Sequence, residues 1–207
     1  MQIAKKNILL YSNLSLMRLI RHPWIWFLRF RHRCGYGVHS PFAFGFINDV
    51  VYEQTAYYAY RELAQLHPWW VRWFRLYPLT CQRLLFRLAN YVHPKTILLI
   101  GDRPIERQYL SAAVPSARWI QEQDAKGNAP DLVFIAHDQL AKTTDFIGRM
   151  PPTGAMALEG IHEDNEARQL WRHLQADNHV GITFDLYTYG ILFFNPQLNK
   201  QHYIVNF

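Results

Sequence analysis

Residues Thr96–Gly101 read Thr-Ile-Leu-Leu-Ile-Gly, and residues Asp131–Ala136 read Asp-Leu-Val-Phe-Ile-Ala. Each is a short, unbroken apolar run, which is how a strand covered on both faces of a sheet reads. Ahead of the first run, Thr80–Tyr91 carries Leu84, Leu85 and Leu88 at helical spacing, and Pro94 closes it. Between the two runs, Glu106–Ala113 predicts a helix and Ala117–Gln121 a weaker strand. Beyond them come a helix over Leu140–Met150, stopped by Pro151 and Pro152, a strand over Ala155–Leu158 and a helix over Asn165–Ala176. Strands and helices that alternate in this way predict a parallel sheet with helices on both faces. The tail differs. Val180–Leu186 and Ile191–Phe194 are joined by the short segment Tyr187–Gly190 and predict an antiparallel hairpin. His202–Phe207 is a last β-like stretch that either extends that edge or folds back over it.

The N-terminal part reads as helical. Residues 14–33 predict helix in two pieces or one kinked at Pro23, with an apolar face from Leu16, Leu19, Ile20, Trp24, Phe27 and Leu28. Ser40 followed by Pro41 predicts a capped helix running towards Tyr52, and Tyr57–Leu66 is a further candidate. His67–Pro78 is dense in Trp and Arg and has no clear period. Residues 1–78 are therefore expected to form a helical extension packed on a core of 79–207. The 207 residues are 50% hydrophobic and 15% aromatic, which suits one sizeable core and excludes a disordered chain. Cys34 and Cys81 make no disulfide framework or metal motif and are expected to be reduced thiols. No signal-peptide pattern or 18-residue apolar run is present, so a cytoplasmic place, with or without peripheral membrane contact, is the expectation.

The net charge of +6 is unevenly placed. Lys5, Lys6, Arg18, Arg21, Arg29, Arg31 and Arg33 all precede the first acid, Asp49. Arg18, Arg21, Arg29, Arg31 and Arg33 are interleaved with Trp24, Trp26, Phe27 and Phe30, and the idea is repeated in Trp69-Trp70-Val71-Arg72-Trp73-Phe74-Arg75. Basic, aromatic helices of this kind suit an anionic membrane surface or a protein partner. Equally, the aromatics can pack on the sheet and leave the arginines solvated. Nucleic acid is disfavoured, because no zinc-finger spacing, GXXG loop or RNP-like motif accompanies the basic residues. Hydrolase motifs such as G-x-S-x-G and H-E-x-x-H are absent too.

Three stretches carry a family resemblance. Gly37-Val38-His39-Ser40-Pro41-Phe42-Ala43-Phe44, followed by Tyr57-Tyr58-Ala59-Tyr60, resembles the N-terminal signature of a class I methyltransferase-like family of Bacteroidetes-type bacteria. Gln82–Gly101 is similar to that family's helix, linker and first strand, and Thr183–Phe194 to its closing hairpin. The likeness runs from about Arg31 to Phe207. It implies a Rossmann-like α/β sandwich closed by an antiparallel C-terminal hairpin, and S-adenosylmethionine as the cofactor of an active member.

The resemblance also implies where a cofactor and catalytic groups would sit, and this chain departs there. Gly101 and Asp102 match the start of the loop after strand one, but Arg103, Pro104 and Ile105 stand where small residues would admit the ligand. Glu122, with Asp124 behind it, matches the acid that would hold the ribose hydroxyls. Ala136 replaces an expected aspartate and is followed by His137 and Asp138, the latter a candidate to take over the catalytic role. Glu159 matches the first acid after strand four, while Gly160 replaces the second. Asp138, Glu159 and His162 do not have the spacing of a ligand motif, so no metal is expected. Only nine residues separate Gln121 from Asp131, too few for the helix and strand that would build the adenine wall. The chain is thus expected to be a degenerate, non-catalytic methyltransferase-fold protein with a scaffold or binding role. The alternatives are an active, divergent methyltransferase and a peripheral membrane-surface protein.

Overall fold

The computed structural model describes Trp24, Phe27, Arg29 and residues 38–73, 77–126 and 129–207. The helices expected over 14–33 otherwise lie outside the described residues, as does Cys34. The elements are α1 (Pro41–Phe46), α2 (Ala59–Leu63), α3 (Trp69–Trp73), α4 (Tyr77–Val92), β1 (Thr96–Ile100), α5 (Pro104–Ala113), β2 (Arg118–Ile120), β3 (Leu132–Ile135), α6 (Thr144–Ile147), β4 (Ala155–Glu159), α7 (Asn165–Ala176), β5 (Ile182–Asp185), β6 (Tyr189–Phe193) and β7 (Gln201–Ile204). The sheet has seven strands in the order β2-β1-β3-β4-β6-β5-β7. β1 pairs in parallel with β2 and β3, and β3 with β4; β6 then runs antiparallel between β4 and β5. The last stretch extends the sheet, with β7 lying parallel to β5.

Residues alternate across the sheet because successive side chains on a strand point to opposite faces. Ile97, Leu132, Phe134, Ala155 and Ala157 join α1 and α4 in one buried cluster. Leu98, Ile100, Val133, Ile135, Met156 and Leu158 pack with Phe146, Trp171 and Leu174 in a second. Both faces are covered, which is why these strands read as continuous apolar runs. Asp131 fixes the start of β1 against β3: one carboxylate oxygen accepts from Thr96 N–H at 2.8 Å and from the Thr96 hydroxyl at 2.9 Å.

β2 is a three-residue strand paired only to β1 among the described residues. Between β2 and β3 stands a single 3-10 turn, Asp124–Lys126. Among the described residues no further helix or strand stands between β2 and β3, and β2 forms the border of the sheet.

Two expectations need correction. The helix over Leu140–Met150 is instead a 3-10 segment, His137–Thr143, and the short α6. Thr143 and Thr144 donate their hydroxyls to the carbonyls of Leu140 and Ala141, three residues back, which tightens the turn. The helix starting at Pro41, capped by the Ser40 hydroxyl, becomes a π-helix over Ile47–Val51. Among the described residues, no helix is long and apolar enough to cross a membrane.

Candidate functional site

The strands β1, β3, β4 and β5 all run the same way, so Gly101, Ala136, Glu159 and Asp185 mark one edge of the sheet. In open α/β sheets this carboxyl edge is where ligands bind. Gly101 holds φ at +109°, and a Cβ there would lie 2.5 Å from the Cβ of Ala136. Packing against β3 therefore requires glycine at this place, whether or not a ligand approaches. Ala136 is fully buried, and its N–H donates to the Ile100 carbonyl at 2.9 Å.

Arg103 lies across this edge. Its Nε donates to Glu159 at 2.8 Å and its Nη2 to Asp138 at 3.0 Å, while Nη1 donates to the Asp102 carbonyl at 3.1 Å. The Arg103 side chain is 27% exposed and that of Glu159 only 11%, so the ion pair is largely out of water. Burial works against the charged guanidinium, but Glu159 and then Asp138 outweigh it and hold the Arg103 pKa above its ordinary value. Asp138 is partly desolvated, yet hydrogen bonds from Gln139 and its own backbone, together with Arg103, keep its carboxyl below the usual value. A third acid lies close. Glu106, in the first turn of α5, is buried and accepts from the Gln82 amide at 2.8 Å. Burial and the neighbouring Glu159 charge push its pKa up. Arg103 is thus the cation that answers a cluster of carboxylates.

The other candidates are engaged in the fold. The ring of His137 covers Gly160, where φ is +75° and a Cβ would come within 2.6 Å of the imidazole. His137 Nε2 is 2.9 Å from Asp164, whose other carboxylate oxygen caps α7 by accepting from Ala167 N–H. The His137 N–H also donates to Glu159 at 3.3 Å. Asp102 is exposed. Gly101, Asp102, Ala136, His137, Asp138 and Glu159 therefore come together, whereas Glu122 does not join them. Glu122 pairs with Lys142 at 2.8 Å and lines a separate cavity of about 520 Å³ with Asp145, Phe146 and Arg149.

A second arginine marks the same edge further along. Arg29 Nη1 donates to Asp185 at 2.8 Å, and its guanidinium sits 5.1 Å from the centre of the Tyr187 ring. Asp185 also accepts from His162 Nε2 at 2.7 Å and from Tyr187 N–H at 2.9 Å. Since Nε2 carries the proton it gives to Asp185, the 3.4 Å approach of Arg29 Nη2 to that nitrogen is a contact between two donors, not a hydrogen bond. Tyr187, at φ +71°, stacks on His162. Burial alone would raise the Asp185 pKa, but His162 and Arg29 together bring it down to about 2. A histidine oriented by a buried carboxylate is chemically suited to accept a proton at its other ring nitrogen. Arg29 and His162 stand out in the sequence for other reasons; the signal for Asp185 is an acid ending an apolar strand, Ile-Thr-Phe-Asp at 182–185.

The chain matches no family model and no curated protein. It does match solved structures. A methyltransferase from Geobacter sulfurreducens is 13% identical, with a TM-score of 0.48, over 69% of this chain and 92% of that one. The O-methyltransferase TomG from Streptomyces achromogenes, solved with S-adenosylmethionine, is 17% identical with a TM-score of 0.44, over 67% of this chain and 89% of that one. An S-adenosylhomocysteine-bound methyltransferase from Podospora anserina is 11% identical with a TM-score of 0.41, over 69% of this chain and 90% of that one. The fold is a class I methyltransferase-type sandwich. Its strand order and its antiparallel β6 are what make it one.

Gly101 is demanded by Ala136, the loop after it places Arg103 over the strand ends, and among the described residues no strand lies beyond β2. Among the described residues, no group of three or more His, Cys, Asp or Glu could hold a metal ion.

Proposed function

We propose that this chain is a non-catalytic member of the methyltransferase-like group whose signature it carries in Bacteroidetes-type bacteria, acting as a scaffold or binding protein. The observation that supports this reading most is Arg103, held between Glu159 and Asp138 across the ends of β1, β3 and β4. Methyl transfer depends on a donor held in line by groups fixed beforehand. A guanidinium tied to two carboxylates stands in that space instead, and displacing it would break both ion pairs, one of them with the largely buried Glu159. Calorimetric titration of the full chain with S-adenosylmethionine tests the proposal. The expected result is no heat of binding. Low-micromolar binding would overturn it in favour of a divergent active methyltransferase.

A second reading rests on a different observation. Trp69 and Trp73 on α3 are 68% and 79% exposed beside the exposed Arg72, and Trp24 and Phe27 are exposed as well. Isolated exposed aromatics need no explanation, but tryptophans next to arginine are the composition of a surface that settles on anionic lipid. Co-sedimentation with phosphatidylserine vesicles, weakened by salt, is expected from this reading. Equal behaviour on neutral vesicles would remove it.

A further inference from the structure

A cavity of about 540 Å³ opens between the end of the π-helix, the first turns of α4 and the chain's last two residues. That volume falls within the range of about 300–1,000 Å³ usual for small-molecule sites. Its walls include Tyr52, Tyr60, Leu79 and Phe207, so much of the lining is apolar or aromatic. Two arginines from successive turns of α4, Arg83 and Arg87, also line it.

The two arginines are satisfied incompletely. Arg87 is buried, and its Nε and Nη2 donate to the carbonyls of Val50 and Val51 at 2.5 and 3.0 Å. These carbonyls belong to the last turn of the π-helix, where intrahelical donors run out. They answer the N–H groups of Arg87 but carry no charge to offset its own. Arg83 lies over the Tyr60 ring at 4.8 Å, and its Nε is buried with no hydrogen-bond partner. No carboxylate pairs with either guanidinium among the described residues. Glu53 also lines the cavity, with both its oxygens within 3.0 Å of the Tyr57 hydroxyl. An anion in the cavity would give the Arg83 guanidinium the charge-assisted partner that no carboxylate among the described residues supplies.

We propose that this cavity binds a small aromatic carboxylate. Its carboxylate takes the Arg83 guanidinium, whose planar fork matches that geometry. Its ring lies against Tyr60, Leu79 and Phe207. A bare phosphate would meet the charge and leave the apolar wall uncovered.

Calorimetric titration of the full chain with benzoate, 4-hydroxyphenylacetate and indole-3-acetate tests the proposal, with benzamide and inorganic phosphate as contrasts. At least one carboxylate is expected to bind, benzamide is not, and phosphate binds more weakly than the best carboxylate. Arg83→Gln is expected to weaken that carboxylate about tenfold or more while the protein still melts cooperatively. Arg83→Lys, which keeps the charge and loses the fork, falls between. The proposal is overturned if none of the three acids binds, if phosphate binds more tightly than all of them, or if Arg83→Gln binds as the parent does.

Discussion

Two pairs of arginines face two different environments in this molecule. At the carboxyl edge, Arg103 and Arg29 are each met by carboxylates, Glu159 with Asp138 in one case and Asp185 in the other. Beneath the π-helix, Arg83 and Arg87 are met by an aromatic ring and by backbone carbonyls. The edge, where this architecture would do its chemistry, has closed its electrostatics on itself. In the cavity, on the face that α4 covers, no carboxylate among the described residues pairs with either arginine. A site that has satisfied its own charges gains little from a ligand, whereas one that has not gains a counter-ion. The difference is why we propose a ligand for the cavity rather than for the edge.

The comparison can be broken most forcefully at Asp185. Asp185→Asn removes the carboxylate that answers Arg29 and His162 and is expected to destabilise by about 3 kcal/mol in chemical denaturation. The pH dependence has a definite sign. The folded pKa of about 2 lies below the ordinary value of 3.8, so Asp185 lends stability that is complete above both values. That stability is lost as pH falls through 3.8 towards 2, and the loss should vanish in Asp185→Asn.

Arg103→Ala comes next, at about 2 kcal/mol, because it removes the ion pairs to Glu159 and Asp138. Adding Glu159→Gln to it should recover part of the loss, a coupling that a double-mutant cycle reads directly. Additive losses would mean that the edge charges are not closed on each other. Arg83→Gln should cost only about 0.5–1 kcal/mol, the value of its stacking on Tyr60, since it has no ion pair to lose. A loss as large as that of Arg103→Ala would erase the contrast. The finest test is His67. Burial, then Arg83 and Arg72, lowers its pKa to about 4, and NMR titration of its ring should show that value rise in Arg83→Gln. A titration that does not move would mean that the charge of Arg83 is answered after all.

The sheet was legible because it is buried on both faces. Thr96–Ile100, Asp131–Ala136 and Ala155–Leu158 declared themselves as apolar runs, and the nine residues after Gln121 declared the missing strand. Local competition was less visible: Thr143 and Thr144 turn a helical pattern into a 3-10 segment through their own hydroxyls. At the edge, the bulk of Arg103 was readable but its partner was not, because Glu159 lies 56 residues away. The need for glycine at position 101 has a steric basis in Ala136, which no spacing rule exposes. The cavity arginines were hidden for another reason. Arg83 and Arg87 sit in an amphipathic helix, where basic residues ordinarily read as a solvated face.

The bond between Arg29 and Asp185 joins positions 156 residues apart. A ribosome releases the first long before it has made the second, so this clasp fastens only when the closing hairpin has been synthesised and has turned. Energy transfer between a label near Arg29 and one near Tyr187 would time the moment at which the two segments meet.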